Sequence, residues 1–243
     1  MGASFVSEGS RVKTIGLIGG MSWESSIQYY RVINEAVRER LGGLHSAESL
    51  MFSVDFAAIE SLQREGRWDE AAVVLAEAAR RLERGGAAFL VLCTNTMHKL
   101  AEAIERAVAI PLLHIADATA AAIKAAGLMT VGLLGTRFTM EEAFYRGRLA
   151  ERHGLTVLLP EAGDRAVVHR VIYEELVLGE IRTTSRTAFR RIMDRLVQQG
   201  AEGIILGCTE IGLLVNPEDS AVPLFDTTLI HARAAVDLAL AAD

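Results

Sequence analysis

The chain has 243 residues, 51% of them hydrophobic, with 4 Pro and a formal net charge of −6, a composition able to bury a core as one large domain or two small ones. The acidic balance excludes the basic stripe of a nucleic-acid binder. No apolar run approaches the roughly 18 residues of a membrane span. Residues 1–11 are small and polar, unlike a secretory signal, and are expected to be a disordered leader; Val6 stands where a myristoylation motif wants Ser or Thr. A cytoplasmic location is expected, and in that reducing compartment two cysteines are expected to be free thiols rather than a bridge. Those two, Cys93 and Cys208, show no close pairing with any of the 6 histidines, so no metal site is expected.

In chain order, Val12–Ile18 is a β-branched strand ending at Gly19-Gly20, and Trp23, Ile27, Tyr30, Ile33 and Val37 recur at helical spacing behind a Ser22 or Ser25 cap. Leu50–Phe56 reads as a strand, Arg67–Arg84 as a helix, and Ala88–Leu92 as a buried strand delivering Cys93 to Thr94, Asn95 and Thr96. A helix to about Val108 follows, then a strand over Ile110–His114 and an Ala-rich helix over Asp117–Ala126. Thr130–Leu134 starts the plan again, and Thr139-Met140-Glu141-Glu142 reads as a capping box for a helix holding Phe144, Tyr145 and Leu149. Leu155–Leu159 is a strand, Ala166–Leu178 and Thr184–Gln199 are helices, and Gly203–Leu206 is the strand that delivers Cys208. Val222–Phe225 and a helix over Thr228–Ala241 complete the series. Strands alternating with long helices mean parallel sheets covered on both faces.

The chain repeats itself. T-I-G-L-I-G at Thr14–Gly19 matches T-V-G-L-L-G at Thr130–Gly135, an offset of 116, and Cys93 matches Cys208, an offset of 115. Tyr29-Tyr30-Arg31 matches Phe144-Tyr145-Arg146 at 115, and Ile110–Leu113 matches Val222–Phe225 at 112. Anchors in one order at nearly constant spacing indicate an internal duplication. The expected fold is α/β, two similar domains about a pseudo-twofold, each a mostly parallel sheet flanked by helices, with the active site in the cleft between them. Residues 12–112 with 218–243 form the expected first domain and 113–217 the second, the helix after Pro223 crossing back.

Ligands of open parallel sheets bind beyond the carboxyl ends of the strands, so each half presents its cysteine at its own mouth. A lone Cys after a buried strand is most often packing, and Thr-Asn-Thr is ordinary capping chemistry. The matched pair points further: a thiol facing a thiol can remove a proton from one side of a carbon and return one to the other. Both cysteines precede helix starts, which lower a thiol from its usual value of about 8.5. Thr94, Asn95, Thr96 and Thr209 have the donors to cradle a carboxylate on which negative charge develops. Gly16–Gly20 is not a dinucleotide fingerprint, His98 orients or packs, and His114 and Asp226 read as caps. No lysine pattern suggests a Schiff base, and no cofactor is expected.

G-L-I-G-G-M-S-W-E-S at Gly16–Ser25, C-T-N-T-M-H at Cys93–His98 and G-C-T-E-I at Gly207–Ile211 resemble the aspartate/glutamate racemase superfamily, the pyridoxal-phosphate-independent amino acid racemases. G-G-L-H-S-A, H-I-A-D-A-T and L-L-G-T-R-F-T-M look like its enterobacterial broad-specificity branch. The resemblance implies Cys93 and Cys208 as the two acid/base residues, Cys208 serving the L-enantiomer and Cys93 the D-enantiomer. It implies substrate contacts from Met21, Ser22, Thr94, Asn95, Thr96, Thr209 and Glu210, an amino acid as the small-molecule partner, and a homodimer as the assembly relatives often adopt, although no exposed apolar stripe in the sequence locates an interface. Aspartate-selective relatives carry an arginine after the second strand; Asp55–Glu60 has no cation before Arg64, and Val177 stands where relatives often have a lysine. Broad specificity toward neutral side chains is therefore expected over a strict aspartate or glutamate racemase. A small-dicarboxylate decarboxylase or isomerase and a non-catalytic acid-binding protein are the alternatives.

Overall fold

The computed structural model describes residues 12–241, and the expected leader at 1–11 lies outside them. Strands β1 (Ile15–Gly19), β2 (Ser49–Ser53), β3 (Phe89–Leu92) and β4 (Leu112–Leu113) form one sheet in the order β2-β1-β3-β4. Strands β5 (Thr130–Gly135), β6 (Thr156–Leu158), β7 (Gly203–Gly207) and β8 (Leu224–Asp226) form a second in the order β6-β5-β7-β8. Every pairing is parallel, and the identical order is the structural counterpart of the sequence repeat. In each sheet the chain moves outward from the first strand on one side and returns to continue on the other. The crevice therefore opens beyond β1 and β3 in the first half, and beyond β5 and β7 in the second.

Side chains alternate across a strand. Ile15, Leu17, Phe89, Val91 and Cys93 thus share one face, packed on Tyr29, Ile33 and Val37 of α1 (Trp23–Leu41) and Ala232, Ala235 and Val236 of α11 (Thr227–Leu240). Ile18, Leu90 and Leu92 take the other face, under Leu75 and Leu82 of α3 (Trp68–Arg84). The second sheet lies between α5 (Ile115–Ala125) with α7 (Ala143–His153) and α8 (Ala162–Glu174) with α9 (Thr183–Gln198), around Leu133, Ile172, Phe189 and Leu196. No described helix is long and apolar enough to cross a membrane.

Several local expectations change. The face of α1 that is buried is Tyr29, Ile33, Ala36 and Val37, while Trp23, Ile27 and Tyr30 are 62%, 52% and 55% exposed. An exposed apolar stripe is therefore present, beside the edge strand β2, which the sequence did not reveal. A separate helix, α2 (Phe56–Arg64), fills the stretch read as strand end and loop, its first turn capped by Asp55 Oδ1 accepting from Ala57 N at 3.2 Å. The long helix expected after Thr96 is a 3₁₀ turn (Thr96–Leu100) and a short α4 (Ala101–Glu105). The cap expected at Thr139 is at Thr136, which opens α6 (Arg137–Glu141); an extended Glu142 then separates α6 from α7. The expected grouping of 218–243 with the first half separates β8 from β7, its partner in the second sheet; the boundary on strand pairing falls after β8, where α11 crosses to pack on α1.

Candidate active site

The carboxyl ends of β1, β3, β5 and β7 converge on a small cavity of about 30 Å³. Each strand end is shaped to bring backbone close. Gly20 has φ +93°, and a Cβ there would overlap the Val54 carbonyl, so only glycine makes the turn that leads to Met21 and Ser22. A Cβ on Gly207, just before Cys208, would sit 2.8 Å from the Leu134 carbonyl.

Of the residues expected at the site, Met21, Thr94, Asn95, Thr96, Cys208, Thr209 and Glu210 line the cavity. Cys93 and Ser22 are not among its lining residues. Cys93 is fully buried in the cluster shared by α1 and α11, with its backbone N–H donating to Ile18 O at 2.9 Å and its Sγ 3.9 Å from Val91 O. Ser22 is buried behind the cavity and donates to Glu210 Oε1 at 2.7 Å.

Neither thiol is lowered as the sequence suggested. Burial pushes Cys93 up, and burial followed by the neighbouring Glu210 charge pushes Cys208 well up. The elements that follow them are a five-residue 3₁₀ turn and α10 (Ile211–Leu214), too short to bring a substantial helix dipole to the sulfur.

The two halves are joined by hydrogen bonds through the site. Glu210 Oε1 also lies 2.6 Å from Ser25 Oγ, and its Oε2 lies 2.9 Å from both Thr209 Oγ1 and Cys208 Sγ. Thr96 Oγ1 is 2.9 Å from Thr136 Oγ1. Asn95 Nδ2 donates to Thr227 Oγ1 at 3.0 Å, and Thr227 donates on to Leu206 O. That clamp leaves Asn95 Oδ1, buried at the cavity, with no hydrogen-bond partner among the described residues. On the far wall, Tyr173 donates to Gln63 Oε1 at 3.2 Å, beside Phe56, Ile172 and Val177. Sequence reasoning missed Gln63, Thr136, Tyr173 and Thr227 and gave Ser25 only a capping role; Ser25 had a signal in the G-L-I-G-G-M-S-W-E-S stretch, and Thr136 in standing in the second copy where Gly20 stands in the first.

Beneath the first strand end lie three buried histidines. His98 Nε2 accepts from Ile115 N, so its Nδ1–H donates to Thr94 O at 2.7 Å and pins the loop after Cys93. His231 Nε2–H donates to Leu113 O, leaving Nδ1 to accept from Tyr29 O–H at 2.8 Å. His114 caps α5 by accepting from Ala116 N. Burial holds all three neutral: His98 well below its ordinary value, His114 down to about 3 and His231 to about 4. His98 thus has the orienting role, and His114 and Asp226 cap helices, Asp226 Oδ1 accepting from Thr228 N and Leu229 N. Among the described residues no three His, Cys, Asp or Glu side chains converge to hold a metal.

The family model described as Asp/Glu/Hydantoin racemase matches residues 18–235. The broad specificity amino-acid racemase RacX of Bacillus subtilis is 27% identical over 175 residues, 71% of this chain and 74% of that protein. A crystal structure of a candidate Asp/Glu racemase from Yersinia pestis shares 59% identity and a TM-score of 0.89, over 94% of this chain and 100% of that one. An aspartate racemase homologue from Pyrococcus horikoshii OT3 shares 36% identity and a TM-score of 0.81, over 93% and 99% of the respective chains. Glutamate racemase from Francisella tularensis, at 16% identity and a TM-score of 0.63 over 93% of this chain and 81% of that one, shares the fold.

Proposed function

The chain belongs to the Asp/Glu/hydantoin racemase family, and on that premise we propose that it interconverts L- and D-amino acids without a cofactor, moving the α-proton between Cys93 and Cys208. In each turnover one cysteine as thiolate takes the α-proton, its sulfur gaining the hydrogen as the carbon gains the electron pair. The other, as thiol, gives its proton to the opposite face. The hydroxyls of Thr94 and Thr96 are the donors for the α-carboxylate, on which the carbanion's charge spreads, with Thr209 beside them holding its hydrogen on Glu210 Oε2. Asn95 Oδ1, buried and unpartnered, is the acceptor for the ammonium. With both thiols pushed up by burial, the arriving ammonium is the charge that favours a thiolate.

Broad specificity rests on one observation: the cavity wall beyond the polar floor is Phe56, Gln63, Ile172, Tyr173 and Val177, and among the described residues no Lys, Arg or His lines the cavity. An acidic side chain has no cation there and meets Glu210 instead, so neutral side chains are the better substrates. The cavity, at about 30 Å³, has room for water rather than an amino acid, so binding parts its walls. Incubating the proteinogenic amino acids of both hands and resolving them by chiral chromatography tests the reading. Racemisation of neutral amino acids ahead of aspartate and glutamate is expected. In deuterium oxide the α-carbon should gain deuterium with no loss of carbon dioxide, whereas release of carbon dioxide identifies a decarboxylase.

A further inference from the structure

The two halves repeat their strands, their cysteines and the threonine after each cysteine, but the next residue differs: Asn95 follows Thr94, and Glu210 follows Thr209. Glu210 is 3% exposed and is surrounded by hydroxyl and thiol groups, of which Ser25 and Thr209 also meet each other at 2.5 Å. Oε1 faces the hydroxyls of Ser22 and Ser25 at 2.7 and 2.6 Å, and Oε2 faces Thr209 Oγ1 and Cys208 Sγ at 2.9 Å each. With Glu210 as a carboxylate, which accepts, and a thiolate unable to donate, the Sγ–Oε2 contact is one that Cys208 makes in its thiol form. A thiolate at that distance would set two negative charges against each other inside the protein. Cys93 has no such neighbour; its Sγ is 3.9 Å from a backbone carbonyl.

We infer that Glu210 is a positioning residue that holds Cys208 as the thiol, so that Cys208 enters turnover as a proton donor. The assignment rests on the two-cysteine racemase reading, and it gives Glu210 a part other than contact with substrate, because its oxygens are already taken up by four neighbours. Ser22 and Ser25 belong to the start of α1, so the same carboxylate ties the second half's cysteine to the first half's helix. The other titratable groups near the pair are neutral, acidic and, in Arg137, basic. Tyr173 from α8 and Tyr29 from α1 both feel Glu210 and are kept un-ionised by burial. Asp226 at the end of β8, which lies against Gly212 of α10, is a further acid, and the Arg137 charge reaches Tyr173.

The test reads Cys208 by itself. In the full chain carrying Cys93→Ala, thiolate absorbance is titrated against pH with Glu210, with Glu210→Gln and with Thr209→Val. Glu210→Gln keeps the shape and the acceptor for Ser22 and Ser25 but removes the charge; the Cys208 midpoint should fall by about one pH unit or more. Thr209→Val removes a hydrogen bond and no charge, and should leave the midpoint where it is. An unmoved midpoint in Glu210→Gln, or an equal fall in both variants, overturns the proposal. If Glu210→Gln does not fold, Glu210→Asp, which withdraws the charge by one methylene, must lower the midpoint by a smaller amount, and an unchanged value overturns the proposal equally. The titration does not depend on turnover, so an absence of racemisation in the unsubstituted chain overturns the function while leaving this result to stand or fall separately.

Discussion

The end of β3 and the end of β7 carry the same elements in different surroundings. At the first, Cys93 is sealed under α1 and α11, Asn95 is clamped by Thr227, and His98 pins the loop by its backbone. At the second, Cys208 opens on the cavity and hydrogen-bonds an acid that reaches across to Ser22 and Ser25. A duplicated backbone delivers two sulfurs to equivalent places, but what each sulfur meets is decided by the helix that happens to cover it. The pair is symmetric in the repeat and asymmetric in its surroundings; the two-base proposal needs such a difference, since one member must hold a proton when the other does not.

The comparison breaks most decisively at the sulfurs. Cys93→Ala and Cys208→Ala should each lower racemase kcat/KM by about 10²–10⁴-fold or more, read by polarimetry or chiral chromatography from both enantiomers. Full activity in either variant means that the two strand ends do not work as a pair. Asn95→Ala should weaken amino acid binding by about 1.5–3 kcal/mol, the value of a hydrogen bond to a charged group, seen as a raised KM; an unchanged KM removes the first strand end from ammonium recognition.

Acid separates the ends by stability. His98, His114 and His231 all lie beneath the first, and all have folded-state values lowered below 6.5. The unfolded chain therefore binds protons that the folded chain refuses. Their contribution is fully present above about pH 6.5 and is lost as the pH falls toward the folded values of about 4 for His231 and about 3 for His114. Each histidine accounts for up to about 1.4 kcal/mol per pH unit in that window, measurable as a falling urea midpoint. His231→Gln, which removes one titration, should flatten the fall; an unchanged slope contradicts the assignment. The smallest effect belongs to the second half's wall: Val177→Lys places a cation beside the cavity and should shift the ratio of glutamate to methionine turnover toward glutamate by about tenfold.

The strands, their parallel arrangement and their repetition were legible because a buried parallel strand writes itself as an unbroken apolar run, and because the repeat supplied each strand twice. What was not legible lay between elements. Trp23, Ile27 and Tyr30 have the same helical spacing as Tyr29, Ile33 and Val37; the second set faces inward because small Ala232, Ala235 and Ala239 of α11 let that helix approach it. Helix α2 was hidden by its length, with Ala57-Ala58 giving little periodicity to read. The Glu210–Ser22–Ser25 contacts, and the Gln63–Tyr173 wall, join residues more than 100 positions apart, and no local pattern records how two halves dock. The expected lowering of both thiols failed for a related reason: burial depends on the finished packing, and it outweighs the small dipole of a short helical turn.

The crossing of α11 has a kinetic meaning. Tyr29 meets His231 across 202 residues of chain, so the first half's hydrophobic layer stays open until residues 227–240 have been synthesised and have folded back over it. Such non-local closure raises contact order and slows folding, and it ties the two halves into one cooperative event. Ending the chain before Thr227 should leave the first sheet with a bare apolar face and an unclamped Asn95, a product that aggregates rather than a smaller enzyme.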